Sequence, residues 1–357
     1  MKKGKICYLI ILTAGFLLFI LKSNRFGGFI FLLSLIYGIT AAVWVFLPER
    51  KVQVTGFGGG MVEKNEKLTE GFSIRNDSKI PLSACNIKGH VSNRLTGDIE
   101  NIDFAVSLRY KQEKKHYIEI KDEFCGRVDV TAEKIVVSDP LYIFEKEIRL
   151  GSTSWGYILP KISRATISDE YLNSYDMESY MYSHYEKGSD MGEVFGIREY
   201  TQGDSLKSMH WKLSAKMDEL MVKIPSFPIE NNIIVMLDNV YSKEYKPDKK
   251  QRNDLVELFY SLSNELLEKN LPHSIGYFDV QLKEFKIEKI GSREKLINSV
   301  PECLSSGFAE NEYSIAEEYI KTVDGMGFGN HFLVTGNGEC EIEKLENYGE
   351  VKIFRAK

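Results

Sequence analysis

The chain has 357 residues, and its hydrophobic share of 43% is enough to form two or three domains with buried cores, which excludes a disordered chain. Its formal net charge is −5, and basic and acidic residues are interspersed along the soluble part without a basic stripe. We therefore expect no nucleic-acid partner.

Two uncharged apolar runs open the chain, at residues 6–21 and 26–47. The second is long enough to cross a hydrocarbon layer of about 30 Å at about 1.5 Å per helical residue, and the first is a few residues short unless its flanks contribute. We predict a transmembrane hairpin over residues 1–50, with helices at about 6–22 and 26–47. A cleaved signal peptide is the alternative, but no small-x-small cleavage site separates the two runs.

Basic residues around the hairpin predict its orientation. Lys2, Lys3, Lys5, Arg50 and Lys51 lie at the outer ends, and Lys22 and Arg25 lie in the turn. The excess at the outer ends places both termini inside, so we expect a multi-pass protein of the cell membrane with cytoplasmic soluble domains. The five cysteines, odd in number and without a Cys-x-x-Cys spacing, agree with a reducing compartment.

Residues 51–167 alternate between apolar and polar positions in short runs. In KLTEGFSIRNDSKIP, Leu68, Phe72 and Ile74 have strand spacing and residues 76–78 have turn composition, and HYIEIKD and RVDVTAEKIVV repeat the alternation. This pattern is typical of an antiparallel β-sandwich-like domain or a barrel. The glycines at 58–60 lack the Lys-Ser/Thr and helix of a phosphate loop, so they predict a linker.

Residues 168–230 contain the densest group of reactive side chains. In VFGIREYTQGDSLKSMHWKLSAK, the alternation at 197–200 predicts a strand, residues 201–204 predict a turn with Gly203 at positive φ, and Asp204 or Ser205 is the expected N-cap of a helix carrying Leu206, Met209 and Leu213. A further strand is expected at 220–224, ended by Pro225 and Pro228. The preceding segment, 174–193, has no clear period and predicts an irregular linker, with a partner-docking loop as the alternative.

This group of side chains permits two interpretations. In a structural element, Arg198 pairs with Asp204, Trp211 is buried with a bonded indole N–H, and the lysines at 212 and 216 are solvated. In a hydrolase, His210 acts as the base, with Glu199 or Asp204 orienting it. No serine or cysteine has the context of a nucleophile elbow, so we favour a structural or interaction role and keep a partner-binding surface open because Arg and Trp are frequent hot-spot residues.

Residues 231–357 change to alternating strands and helices. NNIIVMLDN predicts a buried strand followed by Asp238, and QRNDLVELFYSLSNELLEKN predicts a helix with one apolar face. Further strands are expected at SIGYFDV, FKIEKI, HFLVTGN and VKIFRA, with helices at 292–303 and 315–323. The expected architecture is a mostly parallel sheet covered on both faces, so that the chain as a whole is an α+β multidomain protein.

Three landmarks in chain order carry a resemblance to a known family. FCGRVDVTAEKIVVSDPLYIF resembles a pattern whose strand pair ends in Asp-Pro-Phe-Gly-Leu-Phe, and the Asp238 strand resembles the opening of a von Willebrand factor A-like region. A core pattern, Arg-x-Tyr-x-x-Gly-Asp-x-x-Arg-x-x-x-Trp-x-x-Ser-Ala-Arg, is matched at Arg198, Tyr200, Gly203, Asp204, Trp211, Ser214 and Ala215. Together with the hairpin, the chain resembles the domain-of-unknown-function-58 family of bacterial and archaeal membrane proteins.

The chain also departs from that pattern at three positions. Lys207 and Lys216 stand where the pattern usually has Arg, which keeps the charge and loses the planar bidentate fork. Tyr142 lies where the pattern has its aromatic-glycine pair.

The resemblance implies a fold and a working context. The C-terminal region would be an α/β von Willebrand A-like (Rossmann-type) domain, and the expected interaction residues are Arg198, Tyr200, Gly203, Asp204, His210, Trp211 and Ser214. Such proteins are similar to components encoded beside MoxR-type AAA+ ATPases. We therefore expect a membrane-anchored interaction or assembly factor that works with such an ATPase on client proteins, without catalysis of its own.

A divalent-metal site is the remaining expectation from the resemblance. Von Willebrand A domains bind Mg²⁺ through Asp-x-Ser-x-Ser, because this ion prefers an octahedral shell of oxygens. Asp238 and Ser242 match that motif, Val240 replaces the middle serine, and Gly336 follows Thr335 where an aspartate is needed. A degenerate, metal-free domain without a cofactor is therefore favoured over Mg²⁺ binding.

Overall fold

A computed structural model of the chain describes residues 3–22, 25–46, 51–165, 167, 181–201, 203–229, 233–242, 245–323, 328–336 and 342–356. The chain divides into two compact units. The first comprises Met1–Asn93, Gly97–Glu123 and Arg127–Ile158, and the second comprises Arg94–Thr96, Phe124–Gly126 and Leu159–Lys357. The division into segments 1–50, 51–167, 168–230 and 231–357 stays a prediction.

The first unit begins with the two predicted apolar helices, α1 (Lys3–Lys22) and α2 (Arg25–Phe46). Both are long and apolar enough to cross a membrane. They pack through small residues: an added Cβ at Gly27 would lie 2.8 Å from Leu18, and one at Gly15 would lie 3.1 Å from the backbone of Phe31. In a membrane the lipid is as apolar as the helices, so helices associate through close packing at small residues such as glycine.

Two sheets follow the helices in the first unit. The smaller has the order β1-β3-β6, and the larger has the order β2-β8-β7-β4-β5. Their strands are β1 (Val52–Phe57), β2 (Met61–Val62), β3 (Leu68–Asn76), β4 (Leu82–Asn93), β5 (Ile99–Leu108), β6 (Glu113–Ile120), β7 (Gly126–Ser138) and β8 (Glu145–Ile158). Buried side chains of both sheets, such as Phe72 on β3 and Ile87 on β4, form one apolar cluster.

The turn between β7 and β8 is built around the buried carboxylate of Asp139. It accepts hydrogen bonds from the backbone N–H of Leu141 at 2.9 Å and of Phe144 at 2.7 Å, and from the hydroxyl of Tyr37 on α2 at 3.0 Å. Tyr142 stands in this turn at φ 55°, in the left-handed region. One carboxylate therefore holds the tight turn and joins it to a membrane-type helix.

The second unit contains a five-stranded sheet in the order β14-β13-β11-β16-β17. β11 (Ile233–Leu237), β13 (His273–Asp279), β16 (Asn330–Thr335) and β17 (Glu350–Arg355) are parallel, and β14 (Glu284–Ile290) is antiparallel to β13. The helices are α4 (Lys249–Glu268), α5 (Arg293–Ser306), α6 (Ile315–Val323) and α7 (Ile342–Glu346), and β12 (Val240–Tyr241) pairs with β15 (Ala309–Glu310). The mostly parallel sheet predicted for this region is present.

The region before this sheet differs from the prediction in three ways. β9 (Met181–Glu199) and β10 (Met221–Ile229) form an antiparallel pair, so the described part of segment 174–193 is a strand, and the rest of that segment lies outside the described residues. β10 continues through Pro225 and Pro228, because register shifts at these positions remove the need for the missing N–H groups. The expected helix begins later, as α3 (Trp211–Met217), after a 3₁₀ turn at Leu206–Ser208.

Candidate functional site

The guanidinium group of Arg198, at the end of β9, forms a salt bridge with the carboxylate of Asp204. Two parallel bonds join the groups, from Nη1 to Oδ2 at 2.7 Å and from Nη2 to Oδ1 at 2.6 Å. This is the bidentate fork geometry that makes Arg–carboxylate pairs both strong and directional. The pairing predicted from the sequence is confirmed.

The same carboxylate also closes the turn between strand and helix. It accepts hydrogen bonds from the backbone N–H of Thr201 at 2.8 Å and from the side-chain hydroxyl of Thr201 at 3.0 Å. The Arg198 guanidinium, and then the Thr201 N–H, hold the pKa of Asp204 well below its ordinary value. Gly203 has φ 115°, as the sequence predicted, and a residue with a side chain would be strained there.

The helix α3 is capped by His210 and not by the aspartate or serine expected from the sequence. The Nδ1 atom of His210 accepts the backbone N–H of Leu213 at 3.1 Å, which places the ring proton on Nε2 when the ring is neutral. The backbone N–H of His210 also donates to the carbonyl of Met221 on β10 at 2.8 Å. Asp204 lies six residues before this cap, and its carboxylate is bonded to Arg198 and Thr201.

Ser214 attaches α3 to β10. Its hydroxyl accepts the backbone N–H of Met221 at 2.9 Å and donates to the carbonyl of His210 at 3.1 Å. Among the described residues of the helix, Ser214 is the buried one. The helix therefore rests on the strand through a small hydrogen-bonded residue instead of an apolar stripe.

Trp211 is the position at which the prediction was wrong. The structural interpretation expected a buried indole, but 64% of this side chain is exposed. Met217 and Leu220 are also exposed, at 55% and 51%. We call α3 with these exposed apolar side chains the α3 surface. Lys212 and Lys216 are exposed on α3, as expected for solvated cations, and Lys207 is exposed in the preceding 3₁₀ turn.

The three side chains of the hydrolase hypothesis have other partners or face solvent. Asp204 is bonded to Arg198 and Thr201, His210 Nδ1 is bonded to Leu213, and Glu199 is exposed on β9. In the described part of the chain, no hydrogen bond joins His210 to Glu199 or Asp204. The catalytic role stays a hypothesis that these contacts do not favour.

The other predicted site residues lie at the carboxyl ends of the parallel strands. Asp238 follows β11, and its Oδ2 accepts the hydroxyl of Thr335 at the end of β16 at 2.6 Å. Burial raises the pKa of Asp238 to about 6, although the Thr335 hydrogen bond acts in the opposite direction. The two residues that the von Willebrand A resemblance brought together as candidate metal ligands are thus hydrogen-bonded to each other, and the metal site itself stays a prediction.

Ser242 is placed differently from a ligand beside Asp238. It is exposed after β12, whose Val240 pairs with Ala309, and no group of three metal-binding side chains occurs within the described ranges. The sequence missed Tyr245, whose hydroxyl donates to the carbonyl of Gly336 at 2.8 Å and whose pKa is raised by burial and then by Asp238. Nothing in its sequence context distinguished it from a loop residue.

Comparison with protein families gives a match over the element just described. Residues 196–270 match the sequence model of the family described as "Protein of unknown function DUF58". The match begins near the end of β9 and ends after α4, so it includes the Arg198–Asp204 pair, α3 and Asp238. A comparison with curated proteins finds no match.

Solved structures show only distant likeness. The CARDB domain of a Pyrococcus furiosus protein, in complex with di-metal ions, is 15% identical over 30% of this chain and 91% of that chain, with a TM-score of 0.23. A β-glucosidase from Listeria innocua is 16% identical over 31% of this chain and 17% of its own, with a TM-score of 0.21. A likeness this weak identifies neither the fold nor the function of this chain.

Proposed function

We propose that the protein is a membrane-anchored interaction or assembly factor that binds a partner protein through the α3 surface. The partner is a MoxR-type AAA+ ATPase, and the pair acts on client proteins. The observation that carries the proposal is Trp211, a large aromatic side chain left 64% exposed on a helix whose N-terminus is capped by His210 and whose buried side is bonded to β10 through Ser214.

The supporting argument concerns preorganisation. The Arg198–Asp204 pair fixes the entry to the element, His210 caps the helix, and Ser214 bonds it to β10. A rigid aromatic side chain loses little conformational entropy on binding, and Trp is among the residues most enriched in binding hot spots. The element therefore has the properties of an interaction surface, without needing any of its titratable groups as a catalyst.

The finer fold assignments belong to the same proposal. The two sheets with one shared core in the first unit support a β-sandwich-like domain. A mostly parallel sheet with Asp238 after its central strand supports a von Willebrand A-like domain in the second unit. With Val240 in place of the middle serine and Ser242 exposed, this domain is degenerate and works without Mg²⁺. In the membrane, the soluble parts of both units lie on the cytoplasmic side.

Binding of the full-length chain to the MoxR-type ATPase of the same organism tests the proposal. The chain is reconstituted in nanodiscs, and ATPase binding is measured by biolayer interferometry. Trp211→Ala is expected to weaken binding about 30-fold, as for a hot-spot residue worth about 2 kcal/mol. The change removes an exposed side chain, so the melting temperature should not move.

Trp155→Ala is the matched control. Trp155 is a tryptophan of similar exposure, 47%, on β8 of the first unit. Its removal should leave ATPase binding within twofold of the unaltered chain. Equal binding by both variants, or no binding of the ATPase to the unaltered chain, would contradict the proposal.

A further inference from the structure

β1 is an edge strand without the protection that other edges in this chain have. In the three larger sheets, the outer strands of more than two residues are β1, β5, β6, β14 and β17. Charged side chains occur on β5, β6, β14 and β17, whereas β1 reads VQVTGF and has none. Charges, prolines and bulges are the usual means by which edges avoid pairing with other chains. β1 has no proline, and its register with β3 is continuous.

The backbone of β1 presents free hydrogen-bonding groups on its outer side. The carbonyl of Lys51 accepts a hydrogen bond from the N–H of Asp77, so Lys51 faces β3. Asn76, which lies opposite Val52 in the register, has both its N–H and its carbonyl bonded on the β6 side, so this opposite pair is not hydrogen-bonded. In an antiparallel ladder these orientations alternate, so Val52 and Val54 direct their N–H and C=O groups away from β3. No strand of the described ranges pairs with that side of β1.

A cavity lies beside the free groups. Its volume is about 320 Å³, and it is lined by residues 52–55 of β1 and by Arg149 and Leu150 of β8. We call it the β1 groove. At the far end the strands come together, where an added Cβ on Gly56 would lie 2.6 Å from the carbonyl oxygen of Thr153. The groove is thus a gap that opens between two sheet edges of one unit.

The lining of the β1 groove has an apolar floor and a charged rim. Val52, Val54 and Leu150 pack against the core cluster of the two sheets, whereas Gln53 and Arg149 are exposed. Arg149 has no hydrogen-bond or ion-pair partner within the part of the chain that the structure describes. The rim therefore offers an uncompensated cation next to unpaired backbone groups.

We propose that the β1 groove binds an extended peptide segment of a partner protein, which adds a strand to β1 and pairs an acidic side chain with Arg149. Backbone groups at every second residue fit an extended chain, and alternate side chains of that chain can enter the groove. A second copy of β1 fits less well, because VQVTGF contains no carboxylate to pair with Arg149. The proposal concerns the first unit and goes beyond the α3 surface, so either can fail without the other.

The test begins with peptides selected for binding. A phage-displayed library of eight-residue peptides is selected against the full-length chain in nanodiscs, and the recovered peptides are labelled with fluorescein for anisotropy measurements. We expect recovered peptides to alternate apolar residues and to include Asp or Glu. On binding, hydrogen exchange should slow in the segment 51–57 and remain unchanged elsewhere.

Three variants separate strand addition from other binding. Val54→Pro removes one outward N–H while leaving the β3 ladder intact, and should weaken peptide binding at least tenfold. Val54→Ile keeps the N–H and should bind within twofold of the unaltered chain. Arg149→Glu should weaken acidic peptides at least fivefold, and exchanging the peptide's acidic residue for lysine should restore binding.

The outcomes are distinguishable. Binding that Val54→Pro leaves unchanged, protection from exchange outside 51–57, or failure to recover any peptide would overturn the proposal. A chain that is dimeric in mass photometry and becomes monomeric with Val54→Pro would assign the groove to a second copy instead. If Val54→Pro fails to fold, the Arg149→Glu charge exchange decides the question, because that side chain is exposed.

Discussion

The carboxyl group of Asp238 makes the stability of the second unit depend on pH. Burial raises its pKa from 3.8 to about 6 in the folded chain. Between these values the folded state binds more protons than the unfolded state, so stability falls as pH rises from about 4 to about 6 and stays lower above that range. The charged form is the one that the fold disfavours.

Asp238→Asn is therefore expected to stabilise the protein at neutral pH. A shift of about two pKa units corresponds to roughly 3 kcal/mol, which is the upper limit of the gain. The amide oxygen can still accept the Thr335 hydroxyl. Chemical denaturation of both chains at intervals from pH 4 to pH 8 measures the difference, which should be near zero at pH 4 and largest above pH 6.5.

Two results would contradict this expectation. One is a constant difference across the pH range, which would reflect altered packing instead of ionisation. The other is a lower stability of the Asp238→Asn variant above pH 6.5, which would mean that the carboxylate is stabilised in the fold. Thr335→Val serves as the control, because it removes a bond that favours the charged form and should therefore extend the pH dependence to higher pH.

Sequence patterns predicted some of these side chains well and others poorly. The Arg198–Asp204 pair follows from a complementary pair six residues apart across a turn containing glycine, and it is confirmed. The sequence did not decide whether Trp211 is buried or exposed, because tryptophan is on average highly buried and is also frequent at binding surfaces. The structure shows that α3 contacts β10 through Ser214 and buries no apolar face, and the sequence pattern did not show this.

Among the single elements, the β7–β8 turn can be compared with the Asp-Pro-Phe-Gly-Leu-Phe pattern that its sequence resembles. Aligning the pattern's Asp-Pro with Asp139 and Pro140 places Tyr142 at the pattern's glycine. The structure has Tyr142 at φ 55°, a conformation that glycine adopts without steric cost. The difference from the pattern at this position therefore means that a tyrosine adopts a left-handed backbone conformation, which the sequence alone did not reveal.

Tyr142→Gly is expected to stabilise the first unit by about 1 kcal/mol, because it relieves the left-handed backbone of a bulky residue. Denaturant unfolding in detergent, followed by tryptophan fluorescence, measures the change. The matched control is Tyr117→Gly, at an exposed position inside β6, which should destabilise by about 1 kcal/mol. A loss of stability at position 142 as large as that at 117 would show that side-chain contacts of Tyr142 outweigh the backbone effect.

Element boundaries were the least predictable part of the fold. The start of α3 was expected at Asp204 or Ser205, but the carboxylate that would cap a helix there is committed to Arg198. β10 was expected to end at Pro225, but register shifts let it continue. The first error arises from a side-chain pair six residues apart and the second from the pairing of β10 with β9, and local propensity contains neither.

At the scale of the whole molecule, chain order and broad architecture were predictable. The two apolar helices, the antiparallel region and the mostly parallel sheet all follow from the change of hydrophobic period along the sequence. Strand order within the sheets was not predictable, because it depends on pairings between strands far apart in sequence. The β1 groove could not be predicted for the same reason, since it lies between β1 and β8.

The membrane arrangement is tested with the full chain in its native membrane. We expect the chain to resist carbonate extraction and its soluble units to be digested by added protease in inverted vesicles only. Spheroplasts, in which the outer face is exposed, are the control and should show no digestion. Digestion in spheroplasts would reverse the orientation, and release by carbonate of a chain shortened at its N-terminus would favour a cleaved signal peptide.

The strand order of the second unit also has a consequence during synthesis. β11 lies between β13 and β16, and the Asp238–Thr335 contact joins residues 97 positions apart. At translation rates of about 5–20 residues per second, β11 waits roughly 5–20 s for its second neighbour to emerge. All five of its side chains are apolar and buried in the finished sheet. A nascent chain stalled between β11 and β16 should therefore be a preferred ligand of ribosome-bound chaperones.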